Sequence, residues 1–194
     1  MGRHLIIIVT IVFAVFSGVF VFAQNSGSQD SGSKDKSFDV RSSIGDMHVG
    51  KDADAQKQGL PLYPGARPKQ EKDNDPLNFD IFTESFGFKI MVAKYESDDP
   101  AEKILAFYRD KMKKFGKVLE CHNTNDNSGF HSDDNDQDRN KPLKCEGDNS
   151  GPVRELKVGT EGNAHILAVE PRDSGAGTTF TLVYVYARGK QGEI

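Results

Sequence analysis

The sequence is short of the residues and motifs that announce chemistry. It has no Gly-x-Ser-x-Gly elbow, no His-Glu-x-x-His, no P-loop, no Gly-x-Gly-x-x-Gly and no Cys-x-x-Cys. Those absences remove the common motif-borne hydrolase, metalloprotease, nucleotide-binding and redox readings, and leave room only for an enzyme with a dispersed site. Cysteine is scarce: Cys121 and Cys145 are the only two. Their spacing resembles no close ligand pair, so a zinc site is a poor reading. The chain also lacks an extended basic patch, and its formal net charge is −4. A mildly acidic chain of this kind does not look for nucleic acid as its main partner. There is no internal repeat, and no cysteine stands near Ala23 to carry a lipid.

What is present begins with an address. Behind Met-Gly-Arg-His, the run from Leu5 to Ala23 is apolar except for Thr10, Ser17 and Gly18. A signal-peptide core spans about 7–15 residues, whereas about 17–25 suffice to cross a bilayer. Residues 1–23 therefore read either as a signal cleaved after Val21-Phe22-Ala23 or as a retained N-terminal membrane anchor. Arg3 and His4 favour the N-terminus staying inside, so both readings leave the remainder extracytoplasmic, secreted or periplasmic in the cleaved case. Residues 24–37, QNSGSQDSGSKDKS, hold almost nothing apolar and read as a flexible polar linker. Residues 38–190 then amount to one α+β domain. In an oxidising compartment Cys121 and Cys145 most simply form one disulfide, with two buried free thiols as the competing reading.

Within the domain the clearest element is DDPAEKILAFYRDKMKKFG. Asp99 suits the N-cap, Pro100 the first helical position and Glu102 the acid of a capping box. Ile104, Leu105, Tyr108, Met112 and Phe115 recur at helical spacing, Lys111, Lys113 and Lys114 complement the negative end, and Gly116 supplies a left-handed stop. The apolar stripe needs a sheet to lie on. NFDIFTESFGFKIMVAKY alternates as a hairpin, GKVLEC reads as a short strand, and VRELKV, AHILAVEP and TTFTLVYVYAR as three more. The last favours β-structure on both faces and belongs inside the sheet. FDVRSSIGDMHVG suggests a small hairpin before the main sheet. The expected architecture is an antiparallel sheet of five to six strands with one amphipathic helix on one face. Residues 122–144 are polar and read as a mobile loop.

Tyr63-Pro64-Gly65-Ala66, Phe107-Tyr108-Arg109 and Gly116 together resemble a loosely defined set of uncharacterised exported bacterial proteins. Those share a YPGA turn, two strands, and a helix carrying FYR that ends at glycine. The resemblance covers roughly Gly59 to Cys121 and, more weakly, the closing strands. It implies an exported address and an α+β fold, and it implies no catalytic residue.

The candidate sites divide into bland and sharp readings. Pro64-Gly65 suits a type II turn, which fixes Tyr63 either as a peg in the core or as an aromatic tip for a ligand. Asp134, Asp136 and Asp138 alternate like the start of a calcium loop, but Arg139 replaces the turn glycine and Cys145 the closing glutamate. A solvated acidic loop is the simpler account. His122 and His131 share that loop without a spacing that fixes a metal, while His48 and His165 lie elsewhere. Lys103, Arg109, Lys113 and Lys114 make a basic helix face, either solvated or turned to anionic lipid or a partner. No cofactor is called for. The best functional reading is an exported, non-catalytic domain that binds a partner, an envelope protein or the membrane surface. A small extracytoplasmic enzyme and a metal-dependent binder built on the acidic loop are the alternatives.

Overall fold

The structure, a computed structural model, describes residues 37–51, 53–69, 76–123, 139–145, 149–172 and 176–189. The signal or anchor reading, the linker, His131 and Asp134, Asp136 and Asp138 lie outside the described residues. Those described belong to the unit Lys34–Ile194. Among them, no helix is long and apolar enough to cross a membrane.

Nine strands and one α-helix follow in order: β1 (Phe38–Ser42), β2 (Gly45–Gly50), β3 (Arg67–Pro68), β4 (Leu77–Phe82), β5 (Gly87–Ser97), α1 (Ala101–Met112), β6 (Leu119–Asn123), β7 (Val153–Thr160), β8 (Asn163–Pro171) and β9 (Thr178–Arg188). All pairings are antiparallel, in the order β1-β2-β4-β5-β9-β8-β7-β6, with β3 also on β5. The α+β class and the helix on one face hold, but the expected five to six strands are too few. Two causes account for the difference. The β1–β2 hairpin pairs with β4 and extends the main sheet instead of standing before it. β5 outruns β4, and β3 pairs with the stretch that β4 leaves unpaired, at Tyr95 and Glu96.

Side-chain alternation makes the hairpins and sets their register. Phe79 faces Ile90 and Ile81 faces Phe88 across β4–β5, closed by Thr83, whose hydroxyl accepts the Phe86 N–H at 3.0 Å. β9 lies between β5 and β8 and is paired along its whole length on the β5 side.

The helix lies on β7 and β8. Ile104, Leu105, Tyr108 and Met112 are fully buried, each worth roughly 2 kcal/mol in apolar transfer. They meet Leu156 and Val158 of β7, Leu167 and Val169 of β8, and Phe180 and Leu182 of β9. A 3-10 turn, Lys113–Phe115, continues the helix and brings Phe115 over His165.

The expectations for both helix ends change. Pro100, not Asp99, is the N-cap residue, with no capping side chain. The Asp99 carboxylate is drawn instead to the Tyr63 hydroxyl at 2.8 Å and to Lys103 Nζ at 2.7 Å. Glu102 pairs with Arg154 on β7 instead of closing a capping box. Gly116 has φ 138° and ψ −159°, a glycine conformation but not the left-handed helical stop. The loop reading also narrows. His122 and Asn123 belong to β6, and 139–145 lie along the β7–β8 hairpin, where the Gly162 N–H donates to Arg139 O at 2.8 Å.

Candidate interaction surface

The residues marked out by sequence sit mostly in the scaffold. Pro64 and Gly65 form a turn closed by the Ala66 N–H donating to Tyr63 O at 3.0 Å, and Gly65 has φ 77°. Tyr63 is 7 % exposed, edge-on to Phe107 and Phe180, and its N–H donates to the Tyr108 hydroxyl. Burial first, then the Asp99 carboxylate, raises its phenol pKa. Nearby, Asp98 is held down to about 2, chiefly by the Arg67 guanidinium and then by Arg172. Tyr63 thus belongs to a polar corner that fixes the start of α1.

Cys121 and Cys145 form a disulfide, with Cα atoms 5.3 Å apart. The bridge is compatible with an extracytoplasmic address. It closes the sheet's β6 edge, where the His122 N–H also donates to Asn149 Oδ1 at 2.6 Å. The basic helix face is used internally. Arg109 pairs with Glu120, Lys113 with Asp110, and Lys114 donates to Gly59 O. Glu120 also takes Arg154, the main cause of its lowered pKa. Among the described residues, no group of three His, Cys, Asp or Glu could hold a metal ion.

Sequence reasoning missed two buried sites. His165 is stacked 3.8 Å from Phe115, and its Nε2 donates to Gln58 O at 2.9 Å. Burial lowers its pKa to about 4, the Gln58 carbonyl opposes that shift, and Lys114 reinforces it weakly. It is a neutral histidine joining the 3-10 turn to the turn at Gln58. Glu155 and Lys157 share a face of β7, almost fully buried, with Nζ 3.1 Å from Oε2. Both carboxylate oxygens of Glu155 lack a well-directed hydrogen bond among the described residues. Alternation in VRELKV gives the only signal for this pair: Glu155 and Lys157 fall two residues apart.

The two faces of the sheet differ in kind. On the helix side, β1, β2 and β4 are polar apart from Phe82, and the register sets Asp39, His48, Asp80 and Lys89 in one row. His48 Nδ1 donates to Asp39 Oδ1 at 2.7 Å, and Lys89 Nζ lies 3.4 Å from Asp80 Oδ2. A depression of about 380 Å³ includes Asp39, Arg41, Asp46, His48 and Asp80 in its lining. These groups mostly satisfy one another, as on a solvated sheet face.

On the opposite side the same strands are apolar. Phe38 and Val40 continue into Val49 and Met47, then Phe79 and Ile81, then Ile90 and Phe88. Phe38 is 59 % exposed, Val40 38 % and Leu77 39 %, and the others are half-buried. Among the described elements, α1 and the 3-10 turn pack on β7 and β8, and nothing packs across this face of β1, β2 and β4. The sequence carries the signal in Phe38, Val40, Met47 and Val49, which alternate across a two-residue turn. Compared with protein-family models, curated proteins and solved structures, the chain matches none.

Proposed function

We propose that the chain is an exported, non-catalytic binding module, and that the apolar face of β1, β2, β4 and β5 takes up an apolar surface of a partner protein of the envelope. The observation that carries this is the apolar run from exposed Phe38 through partly buried Phe79 to Ile90, on the side away from the helix. Its register places no basic side chain among those apolar positions of β1, β2 and β4. Adsorption to anionic lipid combines apolar with basic residues, so the face suits a protein better than a membrane surface. The partner's contact is uncharged at its centre, because a charge buried there would meet no counter-ion.

A photo-crosslinking amino acid at Val49 or Phe79 in the exported chain tests this. Adducts with a discrete protein are expected from these positions and not from Asp46, which faces the other way. Equal yields from all three, or adducts with lipid alone, would overturn the reading.

A further inference from the structure

We infer that two copies of this chain pair antiparallel through their β1 edges, with Val40 on the two-fold axis. The edge is available: β1 ends the strand order, all five of its residues are exposed, and no described strand lies on its outer side. It carries no proline or lysine, and its register with β2 is unbroken, so three of the usual guards of an edge strand, proline, lysine and a bulge, are missing. The other end of the sheet is treated differently, since the Cys121–Cys145 disulfide and the Asn149 side chain close the β6 edge.

The sequence of β1, Phe38-Asp39-Val40-Arg41-Ser42, is complementary to itself. With Val40 opposite Val40 of the second copy, each Asp39 faces an Arg41 and each Phe38 faces a Ser42. Shifting the centre to Asp39 or to Arg41 sets like charges opposite each other, so charge selects the Val40 register. Backbone direction agrees. The two-residue loop Ser43-Ile44 makes Ser42 and Gly45 a hydrogen-bonded pair, so alternation turns the N–H and C=O of Asp39 and Arg41 outward. Those are the residues that the Val40 register pairs with one another. Arg41 has no ion-pair partner among the described residues, and Asp39 uses only Oδ1 for His48. Each copy therefore offers an unused guanidinium and an unused carboxylate oxygen.

The two-fold axis stands perpendicular to the sheet, so the apolar faces of both copies come to the same side and join at Phe38 and Val40. Two short edges bury less than the ~1,000 Å² of a standing interface, which makes this a concentration-dependent dimer. The inference is independent of what the apolar face binds: a monomer could still bind, and a dimer could form without a partner.

The test uses the full-length chain in two differently tagged copies. Val40→Cys should give a covalent dimer under mild oxidation, because non-hydrogen-bonded antiparallel pairs bring Cα atoms to about 4.5 Å. Phe38→Cys should not, being opposite Ser42. Asp39→Arg and Arg41→Asp should each lower co-recovery of the two tags about tenfold, through two repulsive pairs. Mixing the two variants restores Asp–Arg pairing at both positions and should recover the wild-type level. Circular dichroism checks that each variant remains folded. Equal crosslinking from Phe38→Cys and Val40→Cys, or failure of the mixture to rescue folded variants, would overturn the pairing.

Discussion

His165 shows how a polar side chain is spent on architecture. Its ring lies between Phe115 and Tyr184 and donates to a backbone carbonyl, and burial, against the pull of that carbonyl, keeps it neutral. Its folded pKa of about 4 lies below the ordinary value of 6.5. The unfolded chain therefore binds more protons between those values, and stability rises with pH across that window and levels off above it. As pH falls from about 6.5 to 4, His165 should cost up to roughly 3 kcal/mol. His165→Phe, which keeps a ring in the stack, should flatten this part of the profile while losing about 1 kcal/mol at neutral pH. Urea unfolding at several pH values checks both outcomes. The carboxylates held low by arginine and lysine contribute in both proteins and cancel in the comparison. Tyr63, by contrast, keeps its ring in the core and its hydroxyl on Asp99, so one residue ties the Pro-Gly turn to the helix start.

Strand β7 carries an ion pair where an apolar pair would fit. Glu155 and Lys157 stand between Cys121 and Leu119 of β6 on one side and Ala168 and Ile166 of β8 on the other. Removing one partner leaves a charge without compensation, whereas replacing both removes the desolvation cost as well. Lys157→Met should destabilise by about 3–5 kcal/mol, and the double variant Glu155→Leu/Lys157→Met should lie within about 1 kcal/mol of wild type or above it. Denaturant midpoints with unchanged m-values decide this. A wild-type midpoint for Lys157→Met would show that Glu155 reaches water or another cation. On the helix, the periodic stripe states which residues are buried, but not the cap. Asp99 has several possible partners, and it is shared between Lys103, on the helix itself, and Tyr63, 36 residues away in the chain.

For the whole molecule, the sheet is apolar toward the helix at β7, β8 and β9 and apolar away from it at β1, β2 and β4. One helix cannot cover both regions, and among the described elements nothing else lies across the apolar side of β1, β2 and β4. Global stability leans on the disulfide, which encloses a segment with a sequence separation of 24. Cys121→Ser should lower unfolding free energy by roughly 2–4 kcal/mol, because the unfolded chain regains loop entropy. Non-reducing peptide mapping of the chain should recover Cys121 and Cys145 in one linked fragment, and two free thiols would refute the bridge.

Sequence by itself determined what depends on local order. Alternation set the β4–β5 hairpin and the strands β7 to β9, helical spacing set the buried stripe of α1, and Pro64-Gly65 demanded a turn with positive φ. It could also place Glu155 with Lys157 on one face and Asp39 beside Arg41 on the β1 edge, because period two follows from the backbone alone. Tertiary structure decided whatever required a second segment to arrive. It extended the sheet to nine strands by pairing β2 with β4 and β3 with β5, and it took Asp99 from the helix cap to Tyr63. It buried His165 against Phe115, and it left the far side of β1, β2 and β4 without a described cover. The physical reason is range: dihedral preference and side-chain alternation act between near neighbours, whereas strand order, burial and exposure depend on which distant segments compete for the same surface.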